Sequence, residues 1–168
     1  MNINKLFSDK KHLQSEINFF IENKLIRFIS ENKELAQAHI KKARHNLEFY
    51  KLSKKHLNFN DWLIVILYYA LYHSALSLIV NKNYSSKNHQ ATILLLIKEY
   101  GISKDEAELI NELSISKEDA ELYTNLKENR QSASYSTNTK FTKETIENYE
   151  NKVLNFINKT EELLEIKK

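Results

Sequence analysis

The chain has 168 residues, with no cysteine, no proline and one glycine, Gly101. These absences exclude disulfides, thiolate chemistry, thiolate metal sites and a glycine-rich phosphate loop, and they disfavour strand-and-turn architectures whose turns need positive φ. The net charge of +3 does not by itself mark a nucleic-acid binder, but it is uneven: 12 Lys/Arg stand against 6 Asp/Glu over residues 1–56, 3 against 2 over 57–100, and 10 against 14 over 101–168.

Length and composition predict one all-α domain with an appendage, large enough to bury a core. The lack of cysteine suits a reducing compartment, and Met1–Ser8 lacks the apolar core of a signal peptide, so a cytoplasmic protein is expected. Residues 10–30 carry Leu13, Ile17, Phe20, Ile21, Leu25 and Phe28 at helical spacing, predicting one N-terminal helix. Residues 33–55 predict a second helix, with Leu35, Ala38, Ala43, Leu47, Tyr50 and Leu52 between lysines. Asn60 or Asp61 can cap the helix that follows. That segment, Trp62 to Val80, has 19 residues and no charge. Its length suffices to cross a bilayer, but His73, Ser74, Ser77 and mid-segment tyrosines favour the centre of a helical bundle. No membrane association is expected.

Residues 81–86 read as a loop. Residues 87–100 predict a short helix ended by Gly101. Ser103 and Glu106 have capping-box spacing and start another. A further start at Ser116 leads into a helix bearing Arg130, and a last helix is predicted over about 142–165, with Ile146, Tyr149, Val153, Phe156, Ile157 and Leu164 inward.

The polar stretch Lys127 to Tyr135 holds one of only three arginines, against 22 lysines. Arginine presents a planar fork that grips phosphate or carboxylate from two sides. Tyr123, Leu126 and Arg130 share a helix stripe, so Arg130 continues an apolar face and must be paired or stand at a cleft mouth. A structural ion pair and a phosphate site both fit. His73 lies on the stripe Trp62, Ile66, Tyr69, His73, Leu76 and Val80, where a core histidine is the plain alternative to a catalytic one. His89 opens a helix, where free N–H groups favour an anion; a solvated ring beside a cap at Ser86 or Asn88 fits equally. His12, His39, His45 and His56 sit among lysines and read as surface residues. No His/Asp/Glu group has metal spacing, and no cofactor is expected.

Four segments in register resemble a HEPN domain: Ala43-Arg44-His45-Asn46-Leu47, Tyr68 to Ala75, Ser86 to Ala91, and Arg130-Gln131-Ser132-Ala133-Ser134-Tyr135. The resemblance spans roughly residues 35–165, with residues 1–32 as an N-terminal extension and 33–168 as the bundle. It is nearest to small stand-alone prokaryotic members with an Arg-x4-Tyr ending. It implies an up-and-down bundle of four or five helices that forms a homodimer, with Arg130 facing a composite groove. Active members are metal-independent endoribonucleases of toxin and defence systems, leaving 2′,3′-cyclic phosphates with an Arg-x4-6-His pair. Here Tyr135 stands in place of the histidine. A tyrosine of pKa near 10 is only about 10⁻³ ionised at pH 7, a poor base.

Two functions follow. In the first, Arg130, Ser134, Tyr69 and His89 bind RNA or nucleotide phosphate without catalysis, acting with a nucleotidyltransferase-type antitoxin partner. In the second, the protein is a ribonuclease in which Arg130 holds the phosphate, His73 or, second to it, His89 moves protons, and Tyr135 donates to the phosphate or stacks on a base.

Overall fold

The computed structural model describes residues 1–56, 60–114 and 141–165. The fold is all-α, with seven helices and one small ribbon among the described residues: α1 (Ile3–Ser8), α2 (Lys10–Glu22), β1 (Ile26–Phe28), α3 (Lys33–His56), α4 (Asn60–Asn81), β2 (Tyr84–Ser86), α5 (His89–Tyr100), α6 (104–114) and α7 (Lys143–Glu165).

Helix α4 is the axis. Its sequence is apolar on nearly every side because α3, α5 and α7 pack around it. It is long and apolar enough to cross a membrane, yet 78% of its most apolar window is buried inside the fold. Leu63, Ile64, Leu67, Leu71, Ala75 and Leu78 are almost wholly enclosed. Each large side chain of that kind contributes on the order of 1.5–3 kcal/mol by leaving water. Its hydroxyls are latches. Ser74 Oγ donates to Thr160 Oγ1 on α7 at 2.8 Å, and Ser77 Oγ donates to the Ala36 carbonyl on α3 at 2.8 Å. A buried hydroxyl left unpaired would cost about 1–3 kcal/mol.

Several helix ends follow the expected chemistry. Asn88 Oδ1 accepts from the Ala91 N–H at the start of α5. Gly101 closes that helix at φ 56°, and its N–H donates to the Ile97 carbonyl. Ser103 and Glu106 exchange the two capping-box bonds, at 3.2 and 2.7 Å. Thr142 Oγ1 accepts from the Thr145 N–H ahead of α7. Asn60, expected as a cap, is instead the first residue of α4, and its amide donates to the Phe141 carbonyl at 2.7 Å.

The N-terminal region differs from the single helix expected over 10–30. Two helices form, capped by Asn2 and Asp9. The second stops at Glu22 because Lys24 turns left-handed, at φ 59°. The Lys24 N–H then bonds the Ile21 carbonyl and the Leu25 N–H bonds the Phe20 carbonyl, a Schellman ending without glycine. Leu25 and Phe28 leave the helical stripe and are exposed. The segment 81–86, expected as a loop, contains β2. It follows a second left-handed residue, Asn83 at φ 64°. β1 and β2 pair antiparallel with Ile26 opposite Ser86, Arg27 opposite Ser85 and Phe28 opposite Tyr84. The extension thus docks on α5 through α2 and on the α4–α5 connection through the ribbon.

The inward face of α3 also differs. Ala36 and Ile40 join Ala43, Leu47 and Tyr50 in the core, while Leu35, Ala38 and Leu52 face outward. The crossing of α3 on α4 selects that face; lysines flank both alternatives, so composition did not.

Candidate functional site

Helix α4 carries the chemistry-bearing residues of the described structure, and it points them in two directions. Toward α3, His73 is half-buried, and its Nδ1 lies 3.0 Å from Nδ1 of His39. The rings are tilted by 33° with centroids 5.2 Å apart. His39, expected on the surface, is therefore half-buried. Its place on α3 above Ala43 aims it at α4, a fact that neighbouring lysines hide. One Nδ1 of the pair carries the proton and the other accepts it, so the contact holds when both rings are neutral or share one charge. Burial lowers the pKa of both rings, and His39 and Lys42 push His73 down further.

Toward α5, one residue and so about 100° round the helix, stands Tyr72, the end of a tyrosine group on α4. The Tyr68 and Tyr72 rings stack with centroids 5.5 Å apart, and Tyr69 meets Tyr68 edge-on at 5.3 Å. Tyr68 is buried, Tyr72 half-buried and Tyr69 partly exposed. The Tyr72 hydroxyl is enclosed and forms no hydrogen bond of good geometry; burial raises its pKa, and the neighbouring Thr92 hydroxyl offsets this only in part. Thr92 itself donates to the Asn88 carbonyl at 3.0 Å. His89, the first residue of α5, is half-buried one turn before Thr92. The fold thus brings Tyr72 to the α5 face that bears Thr92, one turn from His89, and turns His73 away toward α3. Arg130, Ser134 and Tyr135 lie outside the described residues, as do Tyr123 and Leu126.

Arg44, in the first of the resembling segments, has a different task. Its Nε donates to Glu161 Oε1 at 2.7 Å, and its Nη2 donates to Glu161 Oε2 at 2.5 Å and to Asn158 Oδ1 at 2.6 Å. The fork clamps α3 to α7. The Arg44 guanidinium holds the Glu161 carboxyl below its ordinary range, and Glu161 in turn raises Arg44.

Helices α3, α4 and α5 carry the first three of the four segments in the expected order, and the fourth lies outside the described residues. The family model of the HEPN domain matches residues 36–168. The chain belongs to the HEPN family. The match begins inside α3 and runs to the C-terminus, through Arg130 and Tyr135; α1, α2 and β1 of this HEPN protein precede it. HEPN domains serve nucleotide- and RNA-related functions. No curated protein matches the chain.

Proposed function

We propose that this HEPN protein binds RNA or nucleotide phosphate at a cleft around Arg130, without catalysis, as a homodimer or with a nucleotidyltransferase-type partner that acts on it. The observation that carries the non-catalytic reading is the engagement of His73. The imidazole best suited to replace the missing motif histidine is already bonded to His39, on the α3 side of α4. The tyrosine group of α4 supports binding: aromatic faces stack on unpaired bases at roughly 1–3 kcal/mol each, and Tyr69 keeps part of its ring in solvent.

One observation favours the second reading, a metal-independent endoribonuclease. Both imidazoles have lowered pKa values and are neutral near pH 7, the form a general base needs. Purified protein incubated with mixed-sequence RNA in EDTA, beside Arg130→Ala, separates the two. Binding measured by fluorescence anisotropy should weaken at least tenfold in Arg130→Ala, with no fragments from either protein. Fragments ending in 2′,3′-cyclic phosphate from the parent alone would overturn the binding reading in favour of the nuclease.

A further inference from the structure

The three arginines have different surroundings. Arg44 is bound to Glu161, Arg130 lies outside the described residues, and Arg27 on β1 has no carboxylate against it among the described residues. Arg27 borders a cleft of about 560 Å³ under the ribbon, within the roughly 300–1,000 Å³ typical of small-molecule sites. Lys24 and Arg27 line it from the N-terminal extension, Ser85 and Lys87 from the α4–α5 connection, and His39 from α3. Leu35 and Leu76 supply an aliphatic wall and floor. Among the described residues no acidic side chain lines it, and Lys24, Arg27 and Lys87 form no ion pair.

The arrangement is built and not merely a patch of solvated lysines. Arg27 and Ser85 are directly opposed in the ribbon, so their side chains share one face. Arg27 Nε donates to the Lys24 carbonyl at 3.3 Å, which leaves the Nη groups of the fork for another acceptor. Leu25 and Leu35, at 41% and 38% exposure, leave apolar surface open at the same cleft. Three cations suit a dianion better than a single carboxylate, and the guanidinium fork suits phosphate oxygens. The apolar wall suits a compact organic body attached to it.

We propose that this cleft binds a small organic phosphate, with the phosphate on Arg27, Lys24 and Lys87 and the body against Leu35 and Leu76. Lys24, Leu25, Arg27 and Leu35 of the cleft precede residue 36 and lie outside the HEPN match. The phosphate ligands assigned here, Arg27, Lys24 and Lys87, do not include Arg130.

The test is an amide NMR titration of the full chain, first with inorganic phosphate and then with adenosine 5′-monophosphate and with adenosine. Inorganic phosphate should shift the amides of residues 24–27 and 85–88 saturably. The monophosphate should bind at least tenfold more tightly than inorganic phosphate, and adenosine should not bind there. Arg27→Ala/Lys87→Ala should weaken the response at least tenfold, and Arg27→Gln alone should weaken it in the same direction; all of these side chains are exposed, so melting temperatures should hold. Arg130→Ala should leave the response unchanged. Phosphate shifts that avoid both segments, or that persist in the double variant, would overturn the proposal. So would loss of the response in Arg130→Ala, or a single-stranded RNA oligonucleotide that occupies the cleft more tightly than the monophosphate.

Discussion

The α3–α7 seam and the cleft under the ribbon are both rich in basic residues, and they use them in opposite ways. In the seam Arg44 grips Glu161, and Lys54 reaches Glu150 at 2.8 Å and Glu147 at 3.5 Å. Tyr50 adds its hydroxyl to Glu150 at 3.0 Å, and burial, with that carboxylate, raises its pKa. Those cations are part of the bundle's own bonding. In the cleft Lys24, Arg27 and Lys87 form no ion pair with a carboxylate among the described residues, and their charges take no part in the bundle's ion pairing. A charge that is satisfied inside the fold supports stability; one held in place without a partner is available for a ligand.

The comparison breaks most severely if the seam is not well packed. Leu47 lies between Arg44 and Tyr50 on α3 and is 2% exposed. Leu47→Ala should cost about 2–5 kcal/mol in urea unfolding. A cost well under that would show a loose seam.

Arg44→Ala should cost less, about 1–2 kcal/mol, because the pair is charge-assisted but roughly a third exposed and partly screened. The pH dependence checks the same contact. Glu161 is depressed below its ordinary value of 4.5, so the folded state binds fewer protons than the unfolded one around that pH. Its contribution is present above 4.5 and is lost as pH falls through the folded value. Arg44→Ala should flatten that part of the stability–pH curve.

The His39–His73 contact borders the cleft and gives a smaller, separable effect, since both rings keep some solvent. Both values are lowered from 6.5, so the unfolded chain takes up protons first as pH falls. Stability should be full above about 6.5 and decline below it, until the folded rings also protonate. His39→Gln/His73→Gln should remove this decline. An unchanged curve in the double variant would assign the slope to other groups.

The smallest effect sharpens the comparison best. Lys24→Ala/Arg27→Ala/Lys87→Ala removes three positive charges, yet each single change should alter stability by no more than about 0.5 kcal/mol. A loss comparable to that of Arg44→Ala would mean the cleft cations hold the ribbon in place and are not free for a ligand.

Much of the bundle was legible before any coordinates. The uncharged run from Trp62 to Val80 could only be a spanning or a central helix, and the polar residues within it favoured the second. The long-range contacts are less legible. His73 was singled out correctly as inward-facing, but its partner His39 looked like one more surface residue among lysines. Arg44 was identified as one of three arginines, while its carboxylate stands 117 residues away. The ribbon is not legible in the sequence because glycine is the usual marker of left-handed backbone. Lys24 and Asn83 adopt it instead, at a cost of roughly 1–2 kcal/mol for a residue with a Cβ, less for asparagine.

Sequence alone determined what acts over one helical turn: the Gly101 stop, the Ser103–Glu106 box and the apolar run of α4, while the structure chose Asn88 over Ser86 as the cap of α5. A cap meets its partner within about four residues, so both halves of the interaction stand together in the chain. Tertiary structure decided the rest. The His39–His73 contact joins residues 34 apart, and the ribbon and Arg44–Glu161 join residues farther apart still. Which partners meet there depends on how helices cross and which faces they bury, and periodicity in one chain does not encode that choice.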